Sequence, residues 1–284
     1  MISFVGAGPG APDLITIRGA GRLASSDIVI WASSLIPEEL LKHARPGATI
    51  HDSAGMTLED VLEIYRSNKD ASIIRLHSGD PAIYGALFEQ IEWCVLNGRQ
   101  FEIVPGVSSL GAAAAALGVE LTVPSLSQSV VLTRLASRTS ASMPNKETVE
   151  AFSKHGTTMA IFLSGSRPAA LQEALLANSS GYEPSTPAAI VVRATWPNQE
   201  VLRTTVGQLK NAMSSIDSKL TALVLVGPAL DPSGYESTRS HLYSPTFAHR
   251  FRKKSRKGST SGLPSARQSR RASSAGLTAS SDDA

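Results

Sequence analysis

The chain reads as an α/β protein of two wound halves followed by a basic tail. Three observations carry that reading. Short Val- and Ile-rich runs alternate with segments of helical period through residue 235, glycine loops follow several of those runs, and the positive charge collects in the last part of the chain.

In the first half, residues 1–124, the expected strands are 2–5, 27–31, 49–51, 72–76 and 101–104, with helices at 57–66, 83–96 and 107–117. Apolar runs this continuous suit a parallel sheet covered on both faces. Val123-Pro124-Ser125 serves as the linker. The second half, residues 125–235, carries strands at 130–133, 159–163, 188–194, 201–205 and 223–226. Residues 236–284 form the tail. From Ser244 onward it holds nine Lys/Arg against two Asp/Glu, a net +7, leaving 18 against 22, a net −4, for residues 1–243. With almost no large apolar residues, the tail cannot offset its ordering entropy, and disorder is expected.

Composition removes several classes of function. At 284 residues and 42 % hydrophobic, the chain can build real cores, yet its longest apolar candidate, Leu110 to Val119, is mostly alanine and glycine and far short of a membrane span. Met1 to Gly6 reads as a strand entering a glycine loop rather than a signal peptide, so a cytoplasmic setting is expected. The single cysteine, Cys94, excludes intramolecular disulfides and reads as core; six scattered histidines without HxH or HxxxH spacing give no metal site.

In open α/β sheets ligands bind beyond the carboxyl ends of strands. Three loops lie there: Gly6-Ala7-Gly8-Pro9-Gly10, then Leu76 to Gly85 with Gly79-Asp80-Pro81 at its centre, then Val104-Pro105-Gly106-Val107-Ser108-Ser109. Gly79 can turn tightly, and Asp80 and Pro81 can start a helix. Gly6-x-Gly8-x-x-Ala11 formally fits a dinucleotide fingerprint, with Asp27 a plausible distance on. Pro9 and Pro12 argue against it, because a helix would not start where a pyrophosphate needs its N–H groups.

These loops, with Asp13-Leu14-Ile15-Thr16, resemble those of the tetrapyrrole methylases, which take a methyl group from S-adenosylmethionine. Within that family, His51 to Leu58, Gly79 to Gly85 with Glu89-Gln90, Ala112 to Ala116 leading to Glu120-Leu121-Thr122-Val123-Pro124, Gln128 to Arg134, and Arg193-Ala194-Thr195-Trp196-Pro197 are similar to the precorrin-4 C11-methyltransferases of cobalamin biosynthesis. The resemblance spans residues 1 to 230 and departs at Ser137-Arg138-Thr139-Ser140, where the family has Gly-Arg-Thr-Pro.

The resemblance implies two α/β halves with the active-site cleft between them, a homodimer, and S-adenosylmethionine held by Pro9, Ser78, Gly79, Asp80, Ile83, Tyr84, Ser108, Ser109, Leu163, Ala194, Thr221 and Ala222. Residue chemistry agrees for several. Gly79 admits backbone approach, Ser108 and Ser109 offer donors to a carboxylate at a helix start, and Leu163 and Ala222 suit an adenine. Asp80 either receives the donor's ammonium or caps a helix at Pro81. A tetrapyrrole substrate with many carboxylates calls for cations, for which Arg18, Arg75, Arg134, Arg138 and Arg193 are the candidates. His51 and His77 are candidate general bases, with backbone hydrogen bonding as their alternative role, and Tyr84 either walls the site or packs in the core. The competing readings are methylation of another tetrapyrrole carbon or of ribosomal RNA, and nucleic-acid binding through the tail. The acidic body argues against the last, and no nucleic-acid partner is expected.

Overall fold

In the computed structural model, β1 (Ile2–Gly6) is buried at every residue and pairs on both edges, with β4 (Ile73–His77) and with β5 (Phe101–Val104). The residues described are 1–135, 143–163, 165–216, 221–235, 240–244 and 246–254. Beyond β4 come β2 (Ile28–Trp31) and the edge strand β3 (Thr49–Asp52), giving the order β3-β2-β4-β1-β5 with every pair parallel.

Strand alternation divides the side chains of this sheet between two layers. Val5, Val29, Ile74 and Leu76 pack with Leu23 of α1 (Ile17–Leu23) and with Ile36 and Leu40. Ile2, Phe4, Ile28, Ile30 and Ile73 pack on the other face with Val61 and Tyr65 of α2 (Leu58–Ser67) and Cys94 of α3 (Phe88–Leu96). A capping box, in which Thr57 and Asp60 bond each other's backbone amides, starts α2. The helix expected from Ile83 begins only at Phe88. Tyr84 and Ala86 adopt φ of +55° and +47°, and a Cβ on Gly85 would stand 2.2 Å from the Pro81 carbonyl oxygen, so residues 81–84 run as turns and 85–87 as irregular chain.

The second sheet has a different pairing pattern. Strands β6 (Val130–Arg134) and β7 (Thr158–Phe162) are parallel, whereas β10 (Ala222–Val226) pairs antiparallel with β7 and β8 (Pro187–Val192), and β9 (Glu200–Thr205) pairs antiparallel with β8. Its outer layer holds α5 (Val149–Ser153), α6 (Pro168–Leu175) and α7 (Leu209–Ser214), which bury Val149, Leu171, Leu175, Leu209 and Met213 against Met159, Ile161, Ile190 and Val224. The opposite face is covered by α4 (Ser109–Leu117), the helix that follows β5. Ala112, Ala113 and Leu117 pack there against Ala160, Ala189, Val191, Leu223 and Leu225. Small side chains let this helix lie close to the sheet, which accounts for the alanine run.

Met1–Gly234 forms one unit and Tyr235–Ala284 another. Within the latter, His241–Tyr243 makes a helical turn, and the Arg252 guanidinium donates to the carbonyl oxygens of Leu242, Ser244 and Phe247 at 2.6, 2.8 and 3.1 Å. The stretch from residue 255 to 284, which carries most of the tail expected to be disordered, lies outside the described residues.

Candidate active site

Parallel pairing brings the carboxyl ends of β1, β4 and β5 to one edge, and the three glycine loops meet there. Gly8 and Gly79 exchange backbone hydrogen bonds, at 3.3 Å from the Gly8 amide and 2.8 Å from the Gly79 amide. Gly6 and Gly106 touch backbone to backbone. A Cβ on Gly106 would stand 2.1 Å from the Gly79 carbonyl oxygen and 2.7 Å from Gly6 Cα, so no larger residue fits.

Asp80 ties the second loop to the third. Its Oδ2 accepts from the Gly106 amide and its Oδ1 from the Ala82 amide, both at 2.8 Å. This corrects the helix-cap reading, since no helix starts at Pro81 and the carboxylate instead clamps two loops. Ser108 Oγ caps α4, accepting from the Leu110 amide at 3.2 Å.

Beside these loops lies a cavity of about 430 Å³. Pro9 reaches it from the β1 loop, Ser78, Gly79, Asp80, Ile83 and Tyr84 from the β4 loop, and Ser108 and Ser109 from the start of α4. The second half supplies Leu163 after β7, Ala194 after β8, and Thr221 and Ala222 entering β10. All twelve residues singled out for the methyl donor therefore border one space. Sequence reasoning missed Leu35, Phe162, Gly165, Ser166 and Val191, which also line it. None of the five lies in a motif with a recognisable loop signature, although Phe162 directly precedes Leu163. Its ring stands 5.2 Å from that of Tyr84, so an aromatic pair spans the cavity from one half to the other.

Backbone strain gathers around the same space. Tyr84, Leu163 and Thr221 line it with φ of +55°, +54° and +59°, and Arg193 and Thr195 flank Ala194 with +49° and +69°. Left-handed conformations at non-glycine residues cluster where a site needs a particular shape. Tyr84 is 47 % exposed, which sets aside the core reading, and partial burial raises its hydroxyl pKa while the nearby Arg134 opposes that rise.

Of the remaining candidates, His51, His77, Arg18 and Arg75 do not line the cavity. His77 and Arg75 share the face of β4 that packs toward α2 and α3, because side chains two apart point the same way. His77 is buried, its Nε2 has no hydrogen-bond partner, and burial aided by the Arg75 charge lowers its pKa to about 4. It does not line the cavity and cannot reach a ring proton there. Arg75 donates through Nη1 to Ser53 Oγ at 2.9 Å. His51 sits half-buried on β3, opposite Ile30, and also fails to reach the cavity. Arg18 is exposed on α1 beside the Arg22–Glu102 ion pair, away from the cavity. Arg134 ends β6 near Tyr84, Arg193 adjoins Ala194, and Arg138 lies outside the described residues. Among the described residues, no His/Cys/Asp/Glu group could hold a metal, and no helix is long and apolar enough to cross a membrane.

The glycine-loop sheet and the second, mixed sheet both line this one cavity. Residues 1–210 match the tetrapyrrole (corrin/porphyrin) methylases, and the chain belongs to that family. It is 41 % identical over 253 residues to the cobalt-precorrin-4 C(11)-methyltransferase of Priestia megaterium, covering 88 % of this chain and 96 % of that one. It is also 41 % identical over 253 residues to the precorrin-4 C(11)-methyltransferase of Sinorhizobium sp, covering 88 % and 98 %. The X-ray structure of a cobalt precorrin-4 methyltransferase superposes with a TM-score of 0.77 at 40 % identity, over 81 % of this chain and 96 % of that one.

Proposed function

We propose that the protein is an S-adenosylmethionine-dependent methyltransferase that alkylates C-11 of precorrin-4 or its cobalt-bound form in the synthesis of cobalamin, working in the cytoplasm as a homodimer. The observation that supports it most is the convergence of three glycine loops and three ends of second-sheet strands on one cavity, in a chain so similar to enzymes of that activity.

The residues present fit the methyl donor. A Cβ on Gly79 would meet nothing closer than 3.6 Å, so this backbone is open to a ligand, and its φ of +68° favours glycine. The Ser108 and Ser109 end of α4 suits the donor's carboxylate, with backbone amides and hydroxyls at a helix start. Asp80, held by two amides, presents a fixed carboxylate to the ammonium. Leu163, Ala194, Ala222 and Val191 offer an apolar wall to the adenine.

S-adenosylmethionine supplies an electrophilic methyl on a sulfonium, transferred by in-line displacement. The protein's part is to hold both reactants at attack distance, a contribution that reaches about 7 to 11 kcal/mol in favourable cases. Tyr84 and Phe162 form an aromatic pair on the cavity wall that would shield the transferring methyl from water. Arg134 and Arg193, both beside the cavity, are the cations placed to meet the acidic side chains of the macrocycle.

Incubation with S-adenosylmethionine and either form of the tetrapyrrole, followed by mapping of the new methyl, tests the assignment. A methyl at C-11 is expected, and a methyl at another carbon would replace the proposal. Gly79→Val is expected to weaken S-adenosylhomocysteine binding at least about tenfold by calorimetry, since a β-branched residue resists that φ. Unchanged affinity in a folded variant would remove the cofactor from this cavity.

A further inference from the structure

Two side chains of the β8–β9 loop fasten it to the β1 loop beside the cavity, where the two walls meet. The Trp196 indole Nε1 donates to the Pro9 carbonyl oxygen at 3.0 Å, and the Ala11 amide donates to Thr195 Oγ1 at 2.9 Å. Gly10 lies between these bonds. A Cβ there would stand 2.2 Å from Trp196 Cδ1 and 2.9 Å from the Ala194 carbonyl oxygen, so the indole approaches this closely only because residue 10 is glycine.

The loop that presents the indole is held in an unusual shape. Arg193 and Thr195 both adopt positive φ, the Thr195 amide donates to Gln199 Oε1 at 2.7 Å, and the Trp196 amide donates to the Arg193 carbonyl oxygen at 2.9 Å. Such strain persists where surrounding contacts over-determine it. Pro9 lines the cavity from the first half and Ala194 from the second, so each anchor of the clasp is a wall residue or lies within two residues of one.

We infer that Trp196, assisted by Thr195, is a positioning residue for the methyl donor: the clasp between the β1 and β8–β9 loops sets the width of the cleft that the donor enters. The inference rests on the reading of this cavity as the S-adenosylmethionine site. Without the clasp the two walls still carry the same contact groups, but their separation varies, and a ligand that touches both must hold them in place itself.

The test uses the full-length protein and three variants, with calorimetric titration of S-adenosylhomocysteine beside thermal melting. Trp196→Phe keeps a ring and loses the N–H, Thr195→Val keeps the shape and loses the acceptor, and Gly10→Ala pushes the indole away while removing nothing. Each is expected to weaken S-adenosylhomocysteine about three- to tenfold. KM for S-adenosylmethionine should rise by the same factor and kcat should change less than about twofold. Thr195→Val should also speed hydrogen exchange at the Ala11 amide without any ligand present. Affinity within twofold of wild type in all three variants, affinity loss that merely tracks loss of melting temperature, or unaltered Ala11 exchange would each overturn the inference. Failure of the wild-type protein itself to bind S-adenosylhomocysteine would instead overturn the cofactor reading.

Discussion

The two walls of the cavity reach the same end by different means. The first sheet is wholly parallel, so β1, β4 and β5 all deliver their carboxyl ends to one edge, and the wall there presents Gly79, the clamped Asp80 carboxylate and the hydroxyls of Ser78, Ser108 and Ser109 beside Pro9, Ile83 and Tyr84. The second sheet is mostly antiparallel, so its contribution comes from the ends of β7 and β8 and the start of β10. That wall is largely apolar, and its turns rest on Leu163, Arg193, Thr195 and Thr221 at positive φ rather than on glycine. The polar wall rests on Gly6 and Gly106, where backbone packing forbids side chains, and it has Tyr84 at positive φ. The apolar wall tolerates strain in order to keep its side chains.

The largest effect should come from the polar wall. Gly106→Val forces a side chain into the Gly79 carbonyl and the Gly6 backbone and is expected to cost about 3 kcal/mol or more, with loss of S-adenosylhomocysteine binding. Chemical denaturation beside calorimetry checks it. A stable Gly106→Val protein that still binds would break the distinction between the walls.

A comparable effect is expected from acid, and it belongs to the support of the polar wall. His77, at the end of β4, has a folded-state pKa of about 4, below the usual 6.5 because burial disfavours its charged form. The unfolded chain therefore takes up this proton first. Stability that is complete above pH 6.5 should fall as pH drops from 6.5 toward 4, by about 3 kcal/mol in all for this group. Denaturation of wild type and His77→Phe at pH 7 and pH 4.5 isolates the contribution, and equal pH dependence in both would reject it.

The smallest effect has the opposite sign. Leu163 is 68 % exposed at φ +54°, so Leu163→Gly gives up little burial and relieves strain. It should raise stability by about 1 kcal/mol while weakening S-adenosylhomocysteine, a trade-off Gly106 cannot show. A lower melting temperature for Leu163→Gly would mean that the apolar wall is not strained.

Much of this arrangement was legible in the residues. Apolar runs mark the buried strands to within a residue or two, because a buried strand must be apolar along its length, whereas the largely exposed β3 and β9 carry their signal in β-branched residues. Strand pairing in the second half was not legible, since an apolar run looks alike whether its neighbour runs parallel or antiparallel. The start of α3 was placed five residues early. The strained turn at Tyr84 and Ala86 depends on packing around Gly85 that propensity does not register. For the site, the loop residues stood out by motif and resemblance, whereas Leu35 and Val191 lie in ordinary apolar sequence and reach the cavity only through tertiary placement. Arg75 and His77 misled in the other direction. Position near a strand end suggested the cavity, yet the two-residue alternation of β4 turns both toward the helices.

The alanine face of α4 has one more consequence. The helix is continuous in sequence with the first sheet, yet its buried side chains, Ala112, Ala113 and Leu117, complete the core of the second. Neither sheet is a self-sufficient folding unit, because a chain severed at Pro124 would leave Ala160, Val191 and Leu225 uncovered on one fragment and a bare apolar helix on the other. The two walls of the cavity should thus melt as one cooperative transition in calorimetry, and cofactor binding at their junction should shift that single transition as a whole.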